Sequence, residues 1–166
     1  MPDRRFYWDA NVFVKLISNL MTAEAVEDRR NCELFFRDAM NGEIEILTSS
    51  LTRVEVLDTE ENEDRPIPQH IRDRIAAIFE DPYITPILLD PARASEARDL
   101  RWNYPWLRTA DAIHIASAIY AKVDVMHTYD GRRVATRKIL SLNNTVGNPP
   151  LTISVPLYEG PMPLPL

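Results

Sequence analysis

Residues 6–16 read FYWDANVFVKL, two apolar runs broken by Asp9 and resuming after Asn11. A carboxylate between two core-forming runs marks a strand that ends at a rim and a helix that begins there, because a charge inside either run would lose its water without compensation. The same break recurs downstream. VMHTYDGRR (125–133) closes an apolar stretch at Asp130, and TADAIHIASAI (109–119) sets Asp111 at the mouth of an apolar helix.

Outward from these points the chain alternates strand and helix. RRFYW (4–8) reads as a strand, 11–19 as a helix, and 23–40 as a longer helix stopped by Asn41 and Gly42. EIEILTS (43–49) alternates as a second strand, and Ser50 is placed to cap a helix running to Leu57. A helix over 69–79 precedes the strand YITPILLD (83–90), whose Pro86 suits an edge. Pro91 opens a helix to Trp102, and Thr109 is placed to cap another running to Lys122. VDVMHTY (123–129) reads as the fourth strand, GRRVATRKIL (131–140) as a short helix and LTISV (151–155) as the fifth strand. Such alternation predicts an α/β domain with a parallel sheet and helices on both faces. In open sheets of this kind sites form beyond the C-terminal strand ends, where the strand order reverses. If strands one and four are neighbours there, Asp9 and Asp130 meet at one rim, and the helices starting from it bring Asp111 or Glu55.

The composition sets limits. The 166 residues, 45% hydrophobic and 27% charged, fit one folded domain, and no apolar run nears the roughly 18 residues of a membrane span. The first residues lack the apolar segment of a signal peptide, and Cys32 is the sole cysteine, so a reducing cytoplasm is expected. A net charge of −6 and a pI near 5.1 speak against a broad basic surface for nucleic acid. Four of those negative charges, however, belong to the rim acids. Charge is also uneven: TEENED (59–64) is acidic and RRVATRK (132–138) basic, as two solvated faces would be. Six of the 13 prolines lie from Pro149 onward, which predicts a domain over 1–155 and an extended proline-rich tail over 156–166.

Taken singly, each acid has an ordinary role: Asp9 as a helix cap, Asp111 in a first helical turn, Asp130 before Gly131 in a turn, Glu55 on a helix surface. Gathered at one end of a sheet they repel one another unless a cation neutralises them. The donors are oxygen only, and no Cys or His pair has zinc spacing, so a bound ion would be Mg²⁺ or Mn²⁺. His114, one turn beyond Asp111, reads as a packed or hydrogen-bonded helix residue.

In the order WDANV, SSLTRVEVL, TADAIHIASAI and HTYDGRR, the chain resembles the PIN domain, and within it the VapC-type ribonuclease toxins of toxin–antitoxin pairs. The resemblance covers residues 5–155. It implies a three-layer sandwich with a central five-stranded parallel sheet, and an endoribonuclease that hydrolyses RNA with Mg²⁺ or Mn²⁺ to leave 5′-phosphate and 3′-hydroxyl ends. Asp9, Glu55, Asp111 and Asp130 match the family's catalytic, metal-binding acids, and Asn11 the small polar residue beside the first aspartate. A homodimer and a small antitoxin covering the acidic site are implied as partners. Thr128 is placed to orient a ligand, and Arg132 and Arg133 to meet RNA phosphate beside a helix N-terminus. LRWNYPWLRTAD (100–111) interleaves aromatic rings with arginines, either to stack unpaired bases or to fill core. The insertion near 60–68 and the tail exceed the minimal toxins. Two other classes remain open: a non-catalytic PIN-like module binding RNA or protein, and a phosphatase using Asp9 as nucleophile, whose usual second aspartate is replaced here by Asn11.

Overall fold

Phe6, Tyr7 and Trp8 are all buried, which puts β1 (Arg4–Trp8) at the centre of a sheet. The computed structural model describes residues 2, 4–18, 21–57, 66–134 and 136–160. In it β1 pairs in parallel with β2 (Ile44–Ser49) on one side and β4 (Val125–His127) on the other. Beyond β2 lies β3 (Ile84–Ile87), and beyond β4 lies β5 (Ile153–Ser154), giving the order β3-β2-β1-β4-β5. The sheet is five-stranded and parallel as expected, with Pro86 on an edge strand opposite Thr48. Strand order reverses between β1 and β4, so the rim beyond Trp8 and His127 is the predicted site position.

Side chains alternate across each strand and divide the core in two. Phe6, Trp8, Ile44 and Ile46 face α1 (Ala10–Ile17) and α2 (Ala23–Met40), with Phe79 of α4 (Gln69–Glu80) closing that layer. Tyr7, Leu47 and Met126 face α5 (Pro91–Asn103) and α6 (Thr109–Ala121). Residues Ala112 to Ala118 of α6 are buried throughout, since its small alanines and Ser117 let the helix lie close on the sheet.

Several expectations shift. The helix after β2 is only α3 (Thr52–Glu55), capped at Leu51 without a side chain; Ser49, not Ser50, supplies a hydroxyl, accepting from the Leu51 amide at 3.2 Å. Arg108 holds the cap position of α6, and Thr109 is its first residue. The described residues of 131–140 do not form the expected helix. Gly131 (φ 104°) and Arg137 (φ 58°) lie in the left-handed region, and a Cβ on Gly131 would stand 2.7 Å from that of Lys138. The chain folds back across Gly131 and reaches a 3₁₀ turn at Ile139–Leu142, so among the described residues no α-helix N-terminus is there to receive a phosphate. The start of the tail lies on this domain: Tyr158 packs edge-on against Phe35 at 5.4 Å and its hydroxyl donates to Asp38 at 2.7 Å. The acidic run 59–64 and residues 161–166 lie outside the described residues. Among the described residues no helix is long and apolar enough to cross a membrane.

Candidate active site

Asp9 follows the last residue of β1 and caps α1, its Oδ1 accepting from the amides of Asn11 (3.1 Å) and Val12 (3.4 Å). Its Oδ2 accepts from the Asn11 side-chain amide (2.9 Å) and the Thr128 hydroxyl (2.5 Å). Asn11 returns its own oxygen to the Tyr129 amide at 2.8 Å, and the Thr128 hydroxyl oxygen accepts from the Asp130 amide at 3.0 Å. Asn11 and Thr128 therefore stitch the end of β1 to the end of β4. Thr128 is fully buried and orients Asp9, so it is not exposed to contact RNA. Asp9 itself is 3% exposed, and burial pushes its carboxyl up to about 6, while the nearby His114 and these hydrogen bonds pull the other way.

The other acids arrive from three different elements. Asp111, in the first turn of α6, accepts from Arg108 Nε at 3.1 Å. Asp130, just past β4, accepts from Lys138 Nζ at 3.0 Å with one oxygen and from the Ile139 amide at 3.1 Å with the other. Glu55 ends α3 and meets His114 Nε2 at 2.6 Å. His114 is, as expected, a hydrogen-bonded helix residue, but one whose partner is a site acid; Nδ1 meets the Tyr7 hydroxyl at 2.7 Å. Tyr7 gives no sequence signal of its own, whereas the one-turn offset of His114 from Asp111 does.

Electrostatics ties the group together. The hydrogen bond and charge of Asp111 push the Arg108 guanidinium up, and the charges of Asp130 and Glu55 add to this. Asp9 in turn feels His114, the partner of Glu55. Four acids thus border one rim. Among the described residues no three His, Cys, Asp or Glu side chains stand together as a metal-ligand set, and each of the four acids has a protein partner. In donor type the four fit a hard divalent ion, all oxygen and on one side of the sheet.

Lys15, Lys138, Arg132 and Arg133 line a cleft of about 560 Å³ that opens beside Asn11 and Asp130. Arg132 is held by Asp28 of α2 at 2.6 Å and Arg133 by Glu24 at 2.6 Å, partners that local sequence does not reveal. In the aromatic stretch, Tyr104 and Trp106 are half-buried and pack against the α5–α6 core. Trp102 is exposed, with the Arg98 guanidinium 4.5 Å above its ring.

A family model for the PIN domain matches residues 6–138, from β1 through the loop that carries Lys138. The chain belongs to the PIN domain family. The match spans all four acids of this PIN domain. Its fold is similar to that of Mycobacterium tuberculosis VapC20, a toxin that cleaves the sarcin–ricin loop: TM-score 0.57 and 15% identity over 76% of this chain and 90% of that one. It is also similar to a chain of a toxin–antitoxin complex from Klebsiella pneumoniae, with TM-score 0.54 and 19% identity over 78% of this chain and 90% of that one. At such identities the likeness is one of fold. No curated protein matches the sequence.

Proposed function

We propose that this PIN domain is a metal-dependent endoribonuclease that hydrolyses RNA phosphodiester bonds at the β1–β4 rim, as the toxin of a toxin–antitoxin pair. The observation that carries this reading is the hydrogen-bonded rim itself: the Thr128 hydroxyl donates to Asp9 and accepts from the Asp130 amide, and His114, one turn past Asp111, meets Glu55 at 2.6 Å. Acids remote in sequence thereby share one rim, with Glu55 joined to α6, the helix of Asp111, through His114.

Asp9, Glu55, Asp111 and Asp130 are the residues that would hold Mg²⁺ or Mn²⁺. When bound, such an ion lowers the pKa of water and offsets charge on the leaving oxygen. The chain supplies the rest. Asn11 and Thr128 hold Asp9 in one orientation. Arg108, largely exposed, is within reach of a phosphate brought to the acids. Lys138, Arg132 and Arg133 line the adjoining cleft and offer positive partners to flanking phosphates. Arg133 gives up its exposed pairing with Glu24 at little cost, whereas Arg132 is tied to the buried Asp28 and stays in place to shape the cleft. The fold likeness to a chain of the Klebsiella toxin–antitoxin complex supports a small antitoxin as partner, the family resemblance supports a homodimer, and the single cysteine suits a reducing cytoplasm.

One observation favours a rival, the non-catalytic module: every acid already has a protein partner. The phosphatase reading has less behind it, since Asp9 is buried and bonded to Asn11 where a second acid would stand. The deciding experiment incubates labelled single-stranded and hairpin RNA with the chain, with Mn²⁺ or with chelator. Wild type is expected to cut only with the metal. Asp111→Asn, folded by circular dichroism, is expected to lose more than the roughly 100-fold that removal of an outer partner costs. Equal cutting by the variant overturns the reading.

A further inference from the structure

Glu55 ends a four-residue helix that has no side-chain cap, and its Oε1 has no hydrogen-bond partner among the described residues. A glutamate so placed has three side-chain torsions to lose, and a site that uses it must fix them. What fixes it is a chain of buried groups. The Ser49 amide, which can only donate, gives its proton to the Tyr7 hydroxyl at 3.0 Å. The Tyr7 hydroxyl, with the Ser117 hydroxyl also beside it, reaches His114 Nδ1 at 2.7 Å, and the direction of that bond is set at the far side of the ring. With Nδ1 accepting, the neutral ring carries its proton on Nε2, which faces Glu55 Oε2 at 2.6 Å. The opposite direction would set a bare ring nitrogen against a carboxylate oxygen at that distance, lone pair to lone pair.

The geometry points to Tyr7 and His114 as positioning residues, a buried relay from the end of β2 through β1 and α6 that fixes the His114 tautomer and aims the Glu55 carboxylate at the rim. This deepens the nuclease reading and rests on it, since the orientation of Glu55 matters to function only if Glu55 serves the metal or its water. The relay draws on four separate elements, and Tyr7 and His114 are 0% and 2% exposed, so water offers neither of them another partner. Hydrogen bonds behind a ligand act in this way generally, setting its direction and basicity.

The test reads the tautomer first. Long-range ¹H–¹⁵N spectra of the full chain labelled with ¹⁵N-histidine, with His114 identified by loss of its signals in His114→Gln, are expected to show a proton on Nε2 and a bare Nδ1. A proton on Nδ1, or an averaged pattern, overturns the relay. Mn²⁺ titration and single-turnover RNA cleavage then compare His114→Ala, His114→Gln and Tyr7→Phe. The alanine variant is expected to lose roughly 10- to 100-fold in Mn²⁺ affinity or cleavage with RNA binding unchanged. The glutamine variant, whose amide still donates to Glu55, is expected to recover most of that loss, with Tyr7→Phe falling between. Equal losses in the alanine and glutamine variants, or none in either, refute the positioning role. A wild-type chain that neither binds Mn²⁺ nor cuts RNA sinks the nuclease reading, and the tautomer then decides the relay by itself.

Discussion

His127 and His114 are buried to nearly the same degree, 3% and 2% exposed, on opposite faces of one sheet. His127, ending β4, lies against the rings of Phe6 (5.0 Å) and Phe35 (4.7 Å), and Nδ1 receives the Trp8 indole N–H at 3.2 Å. Burial pushes it down to about 3. His114, pressed against the same β1 from the other side, instead links a phenol to a carboxylate. One imidazole fills core and the other orients an acid. The difference comes from neighbours, not depth. On a parallel sheet with both faces covered, polar groups are tolerated where a helix starts at the rim and brings partners with it, as α6 does. Under α2 His127 sits among aromatic rings and receives the Trp8 indole N–H instead of meeting a carboxylate.

The sharpest way to break this comparison is pH. The unfolded chain protonates His127 near 6.5, the native chain only near 3. Its contribution to stability is therefore complete above 6.5 and is lost as pH falls toward 3, at about 1.4 kcal/mol per pH unit. His127→Leu should flatten that slope. At pH 7 the variant should be less stable by about 1–3 kcal/mol, because the Trp8 N–H is orphaned, and by pH 4 it should be the more stable of the two. Denaturant unfolding at pH 7, 5.5 and 4 checks this, and RNA cleavage should be untouched. An unchanged slope would mean that His127 is not sealed as described.

Asp9 has the opposite sign. Its carboxyl titrates near 3.8 when unfolded and about 6 when native, so it favours folding below 3.8 and loses that advantage as pH rises through 6. The ionised group then costs of order 3 kcal/mol at pH 7. Asp9→Asn should raise the melting temperature at pH 7, by an amount corresponding to about 2 kcal/mol after weakened hydrogen bonds are allowed for, and the gain should vanish below pH 4. Added Mn²⁺ should stabilise wild type and not this variant. The smallest effect expected is that of Tyr158→Phe, which severs the hydroxyl from Asp38 and Arg37 for about 1 kcal/mol and leaves cleavage unchanged.

Residues with a strong local pattern disclosed their own place. RRFYW, EIEILTS and ADAIHIASA announce strand or helix through period and length, and Asp9 and Asp130 announce the rim because a strand must end before its chain can bear a charge. Short elements did not. Ser50 looked like a cap because it precedes a helical pattern, but the turn after β2 places Leu51 there instead. GRRVATRKIL carries helix formers, and Gly131, with its positive φ, overrides them by turning the loop back on Lys138. Pairings across the chain were out of reach for a different reason: nothing near Arg132 in sequence points to Asp28, 104 residues away. The acids could be read individually, but that His114 meets Glu55 and Lys138 meets Asp130 is visible only once the chain is folded.

Pro86 carries one more consequence. The carbonyl of Ile87 accepts from the Ser50 amide at 2.9 Å, so Ile87 directs its backbone polar groups inward, and by alternation Pro86 directs its own toward the open side of β3. That side lacks a donor where an incoming strand would need one. A second chain lengthening the sheet there would strand one of its own carbonyls, so growth from this margin into fibrils or edge-joined copies is discouraged.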